Sequence, residues 1–412
     1  MTMLVKADWL FDGTGAPPIP DPVLAIGDDG RIMATFQGHA PDGAVPPGTL
    51  VLDCGGCTLM PGMIDAHVHL NLPGDGSTLE EVVRETDGTL VATAAFASAR
   101  ALAAGITTVR DVGAARRTVF DVRRAQAMGH GHGARILACG QPLTITGGHT
   151  WYLGGEADGE DALRRKVREM ARLGADFIKV MASGGGTIGT QSWLPAYRPE
   201  ELAAITHEAH RMERKVAMHC LCAASIDDAI AAGADHIEHA GFICDATGRQ
   251  EYVPATGERL ARSGIPVSGT LAVSGTAVAA MERLETRTPA EQAFLDRWRR
   301  TLEVNLDQFR RMAEAGVRFV AGTDAGWRFT AIESLPMEVR LMQEGGMTTL
   351  AALAAVTGEC ARALGIDGEI GTLRPGMVAD VIAVAGNPVA DLRSLTDVRM
   401  VMQGGSVRRP PA

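Results

Sequence analysis

PGMIDAHVHL, residues 61–70, is the stretch on which the reading of this chain turns. It is an apolar run of β type that closes on two histidines, His67 and His69. Residues two apart on a strand point to the same side, so both imidazoles can meet one cation. An HxH alone is a weak signal. Four more metal-ligand types follow at the ends of later β-type runs, in the order Lys179, His219, His239 and Asp324.

Working outward, short β-type runs alternate with amphipathic helical stretches from about residue 58 to about residue 360, the pattern of repeated βα units. Eight strands are expected, at 58–70, 105–113, 135–140, 177–181, 215–220, 236–240, 265–270 and 317–325. Several are preceded by endings such as ARALAAGITTV and MARLGADFIKV, which supply an Ala-rich helix, a Gly suited to its C-cap and then a buried strand. Eight such units predict an α/β fold, a (β/α)8 TIM barrel over residues 58–365. Residues 1–57 and 366–412 carry short strands and turn signals such as DGTG and GDDGRI, and are expected to form one small composite β-sandwich domain from both termini.

The bulk composition narrows the function. With 46% hydrophobic and 21% charged residues, the 412-residue chain reads as a globular protein with ample interior. A formal net charge of -10 argues against a nucleic-acid or anionic-membrane surface, since phosphates select basic patches. The opening MTMLVKADWLFDGTG has no leader pattern and no stretch approaches a membrane-spanning length, so a cytoplasmic location is expected. Seven cysteines without compact spacing fit a reducing compartment; Cys54 and Cys57 form a CxxC with no second pair and read as packing, as do Cys220 and Cys222. The expected partners are a small-molecule substrate and further copies of this chain.

In such a barrel chemistry gathers at the C-terminal ends of the strands, where all six candidate ligands lie. Lys179 in FIKVM sits in a strand buried on both faces, where desolvation disfavours its ammonium. A neutral amine there can take up carbon dioxide as a carbamate and present an oxygen to each of two cations. The alternative is a lysine paired with Asp324 or another buried acid. Two cations would lower the pKa of a shared water to give a bridging hydroxide and polarise the carbonyl under attack, with Asp324 moving the proton to the leaving nitrogen. Zinc is the default for imidazole-rich sites, and cobalt or manganese also suit these ligands.

The chain resembles the amidohydrolase superfamily of the binuclear, carboxylated-lysine type, through DGTG, PGMIDAHVHL, FIKVMASGG, AMHC, DHIEHA, AGTDAG and GTLRPGMVADVIA. TGGH at 146–149 and the EAHR/AMHC/IEHA series are most similar to prolidase-like dipeptidases and imidazolonepropionase-related enzymes. The resemblance implies one metal held by His67, His69 and Asp324, a second by His219 and His239, and Lys179 bridging them.

Loops after the strands should form the substrate pocket. Of only 5 Trp and 3 Tyr, Trp151, Tyr152, Trp193, Tyr197 and Trp327 fall there, which predicts an apolar or aromatic substrate face. His149 in GGHTW is placed to touch the scissile carbonyl or to brace its loop. Tyr197 or Arg198 could hold a carboxylate, while Arg198 and Arg328 could equally be solvated loop charges. Relatives commonly continue after the lysine into a Ser-Pro-Thr-Asp-Pro-like loop, whereas this chain reads GGGTIGTQSWLPAYRPEE, which argues against strict proline-dipeptide specificity. His207 and His210 read as helix-surface residues. The sequence thus predicts a metal-dependent hydrolase of amide C–N bonds, acting on dipeptides or N-acyl amino acids with bulky or aromatic groups. Aryl amides, carbamates, ureas, or a lactone or ester are the alternative.

Overall fold

The computed structural model describes residues 2–41, 43–77 and 79–411. Its N-terminal strands are β1 (Met3–Leu10), β2 (Ile19–Pro20), β3 (Pro22–Ile26), β4 (Ile32–Gln37) and β5 (Leu50–Pro61). Eight barrel strands follow: β6 (Met63–Val68), β7 (Ile106–Asp111), β8 (Arg135–Ala138), β9 (Phe177–Met181), β10 (Lys215–Cys220), β11 (His236–His239), β12 (Val267–Ser268) and β13 (Phe319–Val320). The chain ends with β14 (Val381–Ala385), β15 (Val398–Gln403) and β16 (Ser406–Arg409).

The barrel is a ring of parallel strands. β6 to β8 form one ladder and β9 to β13 another. Backbone hydrogen bonds close both seams: Leu143 N donates to Lys179 O at 2.8 Å, and Asp324 N donates to His67 O at 2.8 Å. Val109, Ile178 and Val216 stand on the opposite strand face from Arg110, Lys179 and His219, so they face outward and pack fully buried under the helices, as expected of strands covered on both faces.

The first expected strand, 58–70, is corrected to two. Thr58–Pro61 ladder with β14 in the terminal sheet, and the barrel strand begins at Met63. Gly62 makes this possible, because a Cβ there would lie 2.1 Å from the Thr107 side chain on β7. The strands expected at 265–270 and 317–325 are regular only over Val267–Ser268 and Phe319–Val320. The chain leaves the extended conformation soon after each, with φ of 48° at Thr270 and 60° at Asp324.

The termini meet in one hydrogen-bonded path, β16-β15-β14-β5-β1-β3-β4, with β2 beside β1. Val5, Leu24, Leu59, Val381 and Met402 gather in a core of their own, so the sheet curls over itself. β14 is buried on both faces. Val381 and Ala383 enter that core, while Ile382 and Val384 pack on the barrel. All seven cysteines are free thiols; Cys54 and Cys57 lie in this terminal core, and burial pushes the Cys54 thiol up to about 12. No helix among the described residues is long and apolar enough to cross a membrane.

Between β12 and β13 the chain makes an excursion of two helices, Ala272–Glu282 and the 26-residue Pro289–Glu314. The second starts from a Thr288 and Glu291 capping box with Pro289 in its first turn. It shapes the cavity described next.

Candidate metal centre and its cavity

His67 is the next-to-last side chain of β6, and His69 follows that strand. Each ring is fixed through Nδ1. His67 Nδ1 lies 2.8 Å from Glu238 Oε2, and His69 Nδ1 lies 2.9 Å from the carbonyl of Gly113. Both partners accept, so each Nδ1 carries a hydrogen and each Nε2 is the nitrogen turned toward the centre. Those nitrogens lie 3.4 Å and 3.2 Å from one oxygen, Asp324 Oδ1, which is buried and makes no hydrogen bond among the described residues. Three lone pairs facing one point, in a buried site, call for a cation or a proton between them. Their ligand atoms all fall within 4.8 Å of one another, a spacing that fits one divalent ion.

Lys179, His219 and His239 line the same cavity. Lys179 is buried in β9, and among the described residues its ammonium has no hydrogen-bond or ion-pair partner. Burial lowers its pKa against the opposing pull of Glu238 and Asp324. His219 Nε2 lies 3.1 Å from the Gly184 carbonyl, which leaves Nδ1 as its acceptor. His239 is held through Nδ1, 2.8 Å from Thr270 Oγ1, and its ring centroid lies 4.5 Å from that of His219 and 5.0 Å from that of His67. Burial pushes both His219 and His239 well below the usual histidine range, so both stay neutral. At His67 burial and Lys179 disfavour the charged ring, yet Glu238 and Asp324 outweigh them and raise its pKa. Asp324 is driven the other way: burial opposes its charge, but His67 and His69 prevail and hold it low. The site keeps its carboxylate ionised and most of its imidazoles neutral, the state in which both can ligate.

Two features place these side chains. His239 and Asp324 adopt left-handed backbone with φ of 68° and 60°, costly for residues other than glycine. The turn swings His239 to the side that Glu238 already occupies, against the alternation of the strand. Glu238, which the sequence reading missed, joins Arg110 with its Oε1 and His67 with its Oε2. The signal was there in HIEH, since His236 and Glu238 are two apart and share a face.

His149 is buried in the same cavity wall, its ring 4.6 Å from His219 and 5.5 Å from Trp327. Its Nδ1 meets Thr187 Oγ1 at 2.8 Å, and burial lowers its pKa to about 3. Gly185 must lack a side chain, because a Cβ there would come within 2.5 Å of the His149 ring.

Of the rim residues expected to meet substrate, only His149 and Trp327 line this cavity. Tyr152 is buried beside Leu72, Leu90 and Leu153. Trp151 is 38% exposed and stands edge-on to Tyr152. Tyr197 is buried and donates its hydroxyl to the Ala157 carbonyl, a loop brace. Arg198 is exposed at the start of the Pro199–Arg211 helix, 3.5 Å from Glu201, and Trp193 also lies off the wall. The cavity opens instead toward the excursion after β12, where Leu271, Ser274, Trp298, Asn305, Gln308 and Phe309 form its far side. His207 and His210 stand on the Pro199–Arg211 helix away from the cavity, His210 paired with Asp235 at 2.7 Å.

Over residues 58–408 the sequence matches the amidohydrolase family. The chain belongs to that family. This amidohydrolase is 30% identical to the ochratoxinase of Aspergillus niger over 397 residues, spanning 86% of this chain and 76% of that protein. It is 25% identical to the imidazolonepropionase of Sphingopyxis alaskensis over 393 residues, 88% of this chain and 86% of the other. A crystal structure of a Xaa-Pro dipeptidase with methionine bound in its active site superposes with a TM-score of 0.85 at 26% identity, covering 99% of this chain and 100% of that one. The amidohydrolase is therefore a hydrolase of carbon–nitrogen bonds, from a superfamily whose members typically depend on metal.

Proposed function

We propose that the protein hydrolyses the amide bond of dipeptides or N-acyl amino acids bearing bulky or aromatic groups, with two divalent cations held by His67, His69, Asp324, His219, His239 and a carboxylated Lys179. The observation that carries this reading is the convergence of the His67 and His69 Nε2 lone pairs on the orphaned Asp324 oxygen. Zinc is the cation that imidazole-rich sites take by default, and cobalt or manganese would suit the same donors. Bound there, divalent cations supply Lewis-acid polarisation of the scissile carbonyl and a lowered pKa for water.

The chain's own groups do the rest. Lys179, its ammonium disfavoured by burial, is suited to add carbon dioxide through its neutral amine, losing a proton as the carbamate forms. Asp324, kept ionised, accepts a proton from the attacking water and delivers it to the leaving nitrogen. His149 is neutral; with Thr187 donating to its Nδ1, its Nε2–H is free to donate to the carbonyl oxygen as negative charge develops there. Trp298, Leu271 and Phe309 supply apolar surface for a bulky group. A second reading, aryl amides, carbamates, ureas or an ester, draws support from the far wall, whose lining side chains carry no charge.

Elemental analysis tests the metal reading. Purified protein should hold close to two divalent ions per chain, and Lys179→Ala should lose most of them unless a short carboxylic acid is supplied. Full activity of wild type free of divalent metal would overturn it. Turnover on a panel of dipeptides, N-acyl amino acids, aryl carbamates and lactones separates the two substrate readings.

A further inference from the structure

Arg198 and Arg328, the two arginines the sequence offers as partners for a carboxylate, sit in different surroundings. Arg198 is exposed and beside Glu201 at a helix start. Arg328 lies in the tight turn that follows Asp324, half-buried, and among the described residues its guanidinium has neither a hydrogen bond nor an ion pair. A guanidinium carries five donors, and withdrawing them from water without an acceptor is costly.

The backbone adds to that cost. Arg328 has φ of 50°, and the turn is pinned by Gly76 N–H donating to its carbonyl at 2.7 Å. The charges around it do not neutralise it. Arg297, from the long helix, stacks over Phe294 at 5.4 Å and repels it. Burial and then Arg297 lower the Arg328 pKa, while Glu80, Tyr152 and Asp324 act the other way, none of them as a direct ion pair. The guanidinium is not itself part of the cavity wall but lies next to it. Gly186 lines that cavity, and a Cβ on it would lie 2.8 Å from the Trp327 ring and 3.7 Å from Arg328 Nη2.

We propose that Arg328 is the specificity residue that anchors the free carboxylate of the substrate's amino-acid half, beside Trp327, while the acyl half fills the uncharged wall of Leu271, Trp298, Gln308 and Phe309. The assignment rests on the amide-hydrolase reading above and narrows it to N-acyl amino acids. A planar fork and a carboxylate make two parallel hydrogen bonds, which a lysine cannot reproduce. The bulk of the acyl group is set by a different wall, so the two halves are selected independently.

The test compares N-benzoyl-phenylalanine with its C-terminal carboxamide on the enzyme as purified. Wild type should favour the carboxylate in kcat/KM, and Arg328→Gln should collapse that preference by roughly 10- to 100-fold, the size of a charged hydrogen bond. Arg328→Lys should recover part of it and Arg198→Gln should not disturb it. Calorimetric binding of N-benzyl-phenylalanine, which has no amide to cleave, provides a readout independent of turnover. Equal loss on carboxylate and carboxamide, or equal binding by wild type and Arg328→Gln, would overturn the assignment. Weakened binding by Arg328→Gln with no amide turnover in wild type would leave the arginine standing and remove the amide-hydrolase reading instead.

Discussion

Glu238 is fully buried and answers to two cationic or proton-donating neighbours at once, the Arg110 guanidinium and His67 Nδ1. Burial opposes its charge, but Arg110, His236 and His67 outweigh it and hold its pKa well below the usual carboxylate range. It thereby fixes the His67 tautomer with Nε2 turned inward. Glu238→Gln should lower metal affinity by roughly 10- to 100-fold, read by titration against a competing chelator. It also leaves Arg110 buried without its anion, which should destabilise the fold by about 3–5 kcal/mol in urea unfolding. Unchanged metal affinity in a folded Glu238→Gln protein would show that His67 needs no such brace. At this scale the sequence was legible wherever periodicity carried the information. His67 and His69 share a face because they are two apart. His239 and Asp324 reach the centre through left-handed backbone that nothing in their residue types announces.

The helix Pro289–Glu314 shows why the substrate wall was harder to read than the ligands. Trp298, Thr301, Asn305, Gln308 and Met312 all line the cavity, and their spacing of three and four residues is that of any helix face buried in a core. Trp151 and Trp193, by contrast, drew attention as rare residues in loops and lie off the wall. Truncation separates the two groups: Trp298→Ala should cost on the order of 10- to 200-fold in kcat/KM for bulky substrates and less for small ones, while Trp151→Ala should cost little. Steady-state kinetics on a large and a small acyl group check this, and equal losses for both variants would remove the helix from the pocket. A neighbouring helix carries a pH-dependent element. Glu338, on Leu335–Glu344, accepts from Ala272 N at 2.6 Å while its Oε1 has no partner, and burial raises its pKa to about 8. The folded state thus keeps a proton that the unfolded chain releases above its ordinary pKa of 4.5, so stability falls as pH climbs from there toward 8. Glu338→Gln has no such proton to lose. Relative to wild type it should gain on the order of a few kcal/mol between pH 5 and pH 8, at about 1.4 kcal/mol per pH unit. Urea midpoints that shift in parallel for both proteins would show that Glu338 keeps an ordinary pKa.

At the scale of the whole molecule, repeated helix endings and β-type runs made the barrel readable, because each βα unit is local in sequence. The join between the barrel and the terminal sheet was not, since Thr58–Pro61 look like the start of the run that ends at His69. Thr58 and Leu59 pair with β1 on one side, and on the other all four residues pair with β14, with Pro61 opposite Val381 near the far end of the chain. No local pattern reveals a pairing made across that separation. The same register has a consequence for how the protein is made. A ribosome delivers β5 and β6 early, yet the strand that closes the barrel against β6, Phe319–Val320, comes much later, and β14, which covers one edge of β5, only near the end of the chain. Until those partners emerge, the nascent chain carries one open edge on β5 and one on β6, on either side of Gly62. Such edges are open to wrong pairing until their partners have been made.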